Sequence, residues 1–292
     1  MKIILLLVLT LSAVFAKMQV TVAYPYIEQL TKEIAKDRVD ITLLSRGDWD
    51  PHFVVPKPSL IAGLRNADLL IVNGASLEIG WIPPLVNNAN NAKIQVNAKG
   101  YLDLSAYIKL QDIPKSVNRS MGHVHEDGNP HFALDPHNIV KLAEVVMLKL
   151  SLLDAPNKDF YQKNFQAFEI HWQKKLKLYD KQMRKCKGMK VVQYHELFNY
   201  FLRRYDIASL DNLEPLPGIS PSTKHTLDLV NIIAENKVKY ILQDVYHEHK
   251  TSAFIAQKTG AKVVEMPHDV GALKSVKTLD DFYDTLVGKL CK

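Results

Sequence analysis

The stretch "NKDFYQKNFQAFEIHWQKKLKLYDKQMRK", residues 157–185, crosses the middle of the chain without a glycine or a proline. Phe160, Phe165, Phe168, Trp172, Leu176 and Leu178 recur along it at roughly helical spacing. The pattern predicts one helix of about 28 residues, on the order of 40 Å at 1.5 Å per residue. A rod of that length between two α/β halves reads as a domain connector rather than as a crossover within one sheet. The alternative is a single large doubly wound domain with a long surface helix.

Both flanks supply the α/β pattern. Before the rod, short apolar runs at 19–24, 39–44, 69–72 and 93–96 read as strands, with helical patterns at 26–36 and 59–66 between them. After it, strand patterns at 190–194, 239–243 and 262–265 alternate with helical ones at 197–205, 223–235, 250–258 and 279–290. Strands separated by helices of this length imply βαβ units and mostly parallel sheets. The fold class is therefore α/β, with an N-terminal lobe over 17–156, a connecting helix over 157–185 and a C-terminal lobe over 186–292.

Residues 1–16, MKIILLLVLTLSAVFA, carry one lysine, an apolar run and a small-residue end, the pattern of a secretory signal peptide cleaved after Ala16. The apolar run is too short to span a bilayer comfortably. No cysteine follows the cleavage point, so the expected product is a soluble, exported or periplasmic protein. The net charge of +6 falls by one with Lys2, and the basic residues are scattered or lie along one helix. That distribution suits a solvated face, and nucleic acid is excluded as a partner. Cys186 and Cys291 are the two cysteines. In an oxidising compartment they can pair or remain as thiols, and the sequence leaves both open. Asn118-Arg-Ser120 matches the glycosylation pattern, a frequent chance match.

Of the eleven histidines, four lie in "MGHVHEDGNPHFALDPHN", residues 121–138. His131 follows Asn129-Pro130 in a short extended run. Asp135 and Pro136 then start a helix that carries His137 in its first turn as a bystander. His52 sits in a loop stiffened by Pro51, Pro56 and Pro58. His195 ends the strand pattern 190–194, where ligands of open α/β sheets bind. His268 and Asp269 follow the strand pattern 262–265 in the same way. Imidazole with carboxylate suits a first-row divalent metal, and zinc fits a histidine-rich set best. The alternative is four unrelated structural histidines. His247 and His249 read as surface residues, and His171 and His225 need no function.

At these residues the chain resembles the zinc and manganese class of ABC-transporter substrate-binding proteins, the TroA-like and ZnuA-like family. Asp50-Pro-His52 with Leu64-Arg-Asn-Ala-Asp-Leu-Leu-Ile-Val-Asn-Gly74, Asn129-Pro-His131 with Leu134-Asp-Pro136, and Gln193-Tyr-His195 with Tyr200-Phe-Leu-Arg-Arg-Tyr205 are similar to its ligand blocks, in order. The resemblance implies two α/β lobes joined by a rigid helix, a metal held between them by His52, His131 and His195, and delivery to an ABC permease by a monomeric protein. The family commonly places a carboxylate three residues before a glycine at the fourth position. Here His268 stands three before Gly271, so His268 is the expected fourth ligand and Asp269 or water the alternative. A fourth imidazole favours zinc over manganese. His123 and His125 fall in a short version of a histidine-rich loop and are assigned an auxiliary role. A manganese or iron protein, a metal-dependent adhesin and a secreted zinc hydrolase are the rival readings. The last would need Glu196 as its base, and no His-Glu-x-x-His helix supports it.

Overall fold

The computed structural model describes residues 16–114 and 125–291, so the signal-peptide reading up to Phe15, His123 and Asn118 lie outside the described residues. In the N-terminal lobe, strands β1 (Met18–Val22), β2 (Val39–Leu43), β3 (Leu69–Val72) and β4 (Tyr101–Asp103) form a parallel sheet in the order β2-β1-β3-β4. Helices α1 (Pro25–Ala35), α2 (Pro58–Arg65), α3 (Ile82–Ala89) and α4 (Asn138–Leu153) pack around it. Leu69-Leu-Ile-Val72 is buried throughout, as a central parallel strand covered on both faces must be. Pro25 opens α1 at a position where no intrahelical N–H bond is lost, and Ile27, Leu30 and Ile34 then fall on its buried face.

The C-terminal lobe repeats the same topology. Strands β5 (Lys190–Gln193), β6 (Ala208–Asn212), β7 (Tyr240–Gln243) and β8 (Lys262–Glu265) pair in parallel in the order β6-β5-β7-β8. Between the lobes runs α5 (Lys158–Met183), a helix of 26 residues. The remaining helices are α6 (Asn199–Arg204), α7 (Thr223–Asn236), α8 (Lys250–Thr259) and α9 (Leu279–Leu290), the last started by a reciprocal cap between Thr278 and Asp281.

The connector helix packs against α1, α4 and α9. Its buried face is Tyr161, Phe168, Trp172, Leu176, Tyr179 and Met183, whereas Leu178 points to solvent. Trp172 is fully buried, stacks on Phe168, and donates its indole N–H to the carbonyl of Pro136 at 2.9 Å. The rod is thereby fixed to the chain just beyond His131. Cys186, one turn past α5, is joined in a disulfide to Cys291 at the end of α9.

Three local expectations change. Residues 93–96 do not form a strand: Ala92–Ile94 is a 3-10 turn started by the Asn91 side chain, and the fourth strand is Tyr101–Asp103. The run after His131 is likewise not extended, because Phe132–Leu134 forms a 3-10 turn. The helix expected at Asp135-Pro136 starts at Asn138 instead. The Asp135 carboxylate still takes the backbone N–H of His137 at 2.9 Å, but the same group is committed to Arg204.

Candidate metal centre

The histidines approach one another because loops at the carboxyl ends of the two sheets face each other. His52 lies in the loop after β2, where Asp50 accepts its backbone N–H at 2.9 Å and faces its Nδ1 at 2.8 Å. Gly47 lets that loop reach the other lobe, since a Cβ there would sit 1.9 Å from the carbonyl oxygen of Val270. Trp49 offers its carbonyl to the Nε2 of His268 at 3.1 Å. His131 follows Asn129, whose side-chain oxygen accepts the His131 N–H at 2.9 Å. Asn73, at the exit of β3, donates to the Pro130 carbonyl at 3.0 Å. His195 follows β5 directly.

Contacts between the lobes set the distance from His131 to His195. The Tyr200 hydroxyl donates to the Asn129 carbonyl at 2.8 Å, and Asn129 donates to the Glu196 carbonyl at 2.8 Å. Arg204 grips Asp135 with Nε and a terminal nitrogen at 2.7 to 3.0 Å, and the hydroxyl of Tyr283 donates to the Ala133 carbonyl.

One ligand atom each from His52, His131 and His195 lies within 4.8 Å of the others. The rings of His52 and His131 are 5.3 Å apart, those of His52 and His195 also 5.3 Å, and those of His131 and His195 5.5 Å, all edge to face. The Nε2 atoms of His131 and His195, and the Nδ1 of His268, are buried without a hydrogen-bond partner among the described residues. A buried polar atom is normally paired, and the nitrogens of His131 and His195 are the unpaired ones that also converge with His52, so they are placed for a ligand. Such a set can hold a borderline-soft divalent ion.

His125 lies against the group: its ring stacks on His52 at 5.2 Å, with the Nε2 atoms 3.2 Å apart. His268 and Asp269 do not join the group of converging ligand atoms. The Trp49 carbonyl can only accept, so the His268 Nε2 carries its proton and points across the lobes. Asp269 accepts the N–H of Val270 at 2.6 Å. Burial raises its carboxyl pKa well above the ordinary range. A groove of about 770 Å³, lined by His52, Phe53, Ile79, Trp81 and His125 among others, opens beside the group.

Electrostatics favour neutral imidazoles. Burial lowers the pKa of His52 against the opposing pull of Asp50, and burial lowers that of His131 further, with the neighbouring histidines adding to it. Behind His195, the Glu214 carboxylate meets Nδ1 at 3.0 Å and the Nε2 of His247 at 3.2 Å. Burial alone would raise the Glu214 pKa, but its bonds to the two histidines bring it down to about 2.

The match to known proteins is made over nearly the whole chain. The family model for ZnuA, the periplasmic component A of a zinc-uptake complex, matches residues 20–289. The chain belongs to the ZnuA family. It is 27% identical over 245 residues to the high-affinity zinc uptake system protein ZnuA of Bacillus subtilis, covering 83% of this chain and 75% of that protein. It is 26% identical to the zinc-binding lipoprotein AdcA of Streptococcus pneumoniae over 81% of this chain, which spans only 46% of AdcA. The manganese ABC transporter substrate-binding lipoprotein PsaA of the same species is 24% identical, over 94% of this chain and 88% of PsaA. A crystal structure of a ZnuA superposes with a TM-score of 0.76 at 24% identity, covering 88% of this chain and 93% of the other, and so shares the fold. As a ZnuA family member the chain is a metal-binding substrate-binding protein of an ABC uptake system, not an enzyme. Among the described residues no helix is long and apolar enough to cross a membrane.

Several residues beside the converging histidines escaped the sequence reading. His247 is not a surface bystander. It is held between Glu214 and Asp244 and stacks on Tyr194 with ring centres 4.3 Å apart. Its companion His249 is exposed, as expected. Glu214 follows β6, a strand whose sequence, Ala-Ser-Leu-Asp-Asn, holds only one large apolar residue. The Asp244-x-x-His247 spacing was the one available cue. His137 stands just before α4 without capping it and reaches Asp180 on the connector at 2.8 Å, so it fastens that helix. His171 binds Asp280 and His225 the carbonyl of Asn212.

Proposed function

We propose that this exported protein captures zinc between its lobes and hands it to an ABC permease. His52 and His131 are the ligands from the first lobe and His195 the ligand from the second. The observation that carries this reading is the convergence of three imidazoles, those of His131 and His195 buried and with an Nε2 unpartnered among the described residues. Nitrogen ligands without a converging carboxylate suit zinc and not manganese, which prefers oxygen. The fourth position falls to His268, whose Nδ1 is buried without a partner among the described residues, or to His125, whose Nε2 lies 3.2 Å from that of His52, in preference to Asp269, which accepts the Val270 N–H. Capture needs no bond chemistry. Release follows when the permease favours an arrangement of the lobes that withdraws His195 from the other two.

Metal analysis, followed by zinc and manganese titration of alanine variants, tests the assignment. Zinc-finger sites bind with about 10–16 kcal/mol over four ligands, or roughly 3 kcal/mol each, so loss of His52, His131 or His195 weakens zinc by at least about 100-fold. Of His268→Ala and His125→Ala, the variant that removes the fourth ligand weakens it less than these three, and Asp269→Ala leaves it within a few-fold. Preference of the purified protein for manganese, or unchanged zinc binding in the first three variants, overturns the assignment.

A further inference from the structure

The three converging histidines are supported unequally. His52 is oriented by Asp50 within its own turn. His195, the one converging imidazole from the C-terminal lobe, is instead backed by a chain of side chains that runs away from the site. Its Nδ1 meets Glu214 Oε2 at 3.0 Å, Glu214 Oε1 meets His247 Nε2 at 3.2 Å, and His247 Nδ1 meets Asp244 Oδ2 at 2.8 Å. The other Asp244 oxygen accepts the backbone N–H groups of Tyr246 and His247 at 3.1 and 2.8 Å. The chain is anchored in the sheet, because the Glu214 N–H continues the β6 to β5 ladder by donating to the Tyr194 carbonyl at 2.9 Å. Glu214 and Asp244 are buried, and a buried carboxylate is tolerated only where its oxygens are satisfied.

We propose that Glu214, held by His247 and Asp244, is the positioning residue that fixes the tautomer and ring orientation of His195, so that the C-terminal lobe presents a preset metal ligand. The inference rests on the zinc-binding reading of the site. A carboxylate accepts and does not donate, so the Nδ1 facing it carries the ring proton and the Nε2 lone pair is left facing His52 and His131. Glu214 does not converge on the metal position. It acts through His195, and His247 acts through Glu214.

The test compares the wild-type protein with Glu214→Ala, Glu214→Gln and His247→Ala. Zinc affinity is read by chelator competition, and the imidazole tautomer of His195 by 15N NMR of the metal-free protein. Glu214→Ala is expected to weaken zinc by about 10–100-fold, the usual effect of losing such a partner, and to turn a single Nδ1–H tautomer into a mixture. Glu214→Gln, whose amide oxygen still accepts, retains the tautomer and loses less affinity. His247→Ala retains the tautomer with a smaller loss than Glu214→Ala. Zinc affinity within threefold of wild type in Glu214→Ala, or an unchanged His195 tautomer in that variant, overturns the inference. Absence of zinc binding in the wild type would refute the function itself, whereas the tautomer measurement needs no metal and decides this inference separately.

Discussion

Replacing Arg204 with alanine removes the charged clamp between the lobes, and its cost can be worked from the contacts. Three N–H to oxygen contacts of 2.7 to 3.0 Å join Arg204 to Asp135, whose side chain is 4% exposed. Without the guanidinium, the carboxylate stays buried with the His137 N–H as its remaining donor partner among the described residues. Removing one partner of a fully buried pair costs about 3–5 kcal/mol. Arg204 is 41% exposed, so water screens part of the loss, and about 2–3 kcal/mol remains. For a chain of this length that lowers the melting temperature of the metal-free protein by roughly 5 °C. Asp135 lies four residues after His131 and Arg204 nine after His195, so zinc affinity should fall as well, by up to about tenfold, or about 1.4 kcal/mol. Arg204→Lys keeps the charge but loses the fork and should recover about half of each effect. Calorimetry of the metal-free variants and zinc titration provide the readings. A melting temperature within 1 °C of wild type, with unchanged zinc affinity, would refute the claim that this pair sets the spacing of the lobes.

Gly47→Ala pushes a methyl group against the Val270 carbonyl and should destabilise the protein by about 1–3 kcal/mol; an unchanged denaturant midpoint would show that the two loops part freely. Cys186→Ser opens a loop closed across 105 residues, and a loss of about 2–5 kcal/mol in metal-free stability is expected, measurable by urea unfolding. Burial opposes a charge on His247, but its bonds to Asp244 and Glu214 prevail and push its pKa up to about 9. Its folded pKa therefore lies above the unfolded value near 6.5. The stabilisation, at most about 3 kcal/mol, is complete below pH 6.5 and is lost as pH rises through 9. His247→Ala should flatten that alkaline decline in metal-free stability, and an unchanged slope between pH 6.5 and 9 would contradict the two ion pairs.

Much of this molecule is decided locally. The absence of glycine and proline over residues 157–185 commits the chain to a rod, and buried apolar runs such as Leu69-Leu-Ile-Val72 commit it to parallel strands, because the backbone responds to periodicity and to its nearest neighbours. His52, His131 and His195 each stand beside turn residues or at the end of a strand, and the structure brings these three together. Strands with weak patterns were not: Ala208–Asn212 and Tyr101–Asp103 exist because neighbouring strands offer them a ladder. Which polar groups meet, across the lobes or within one, depends on chain segments apart in sequence. Asp135 met Arg204, His268 turned to Trp49, and Glu214 took His195 and His247 together. Sequence alone determined the two lobes and the rod between them. Only the packed structure decided what stands behind each imidazole, because hydrogen-bond partners are chosen by distances that no local pattern encodes.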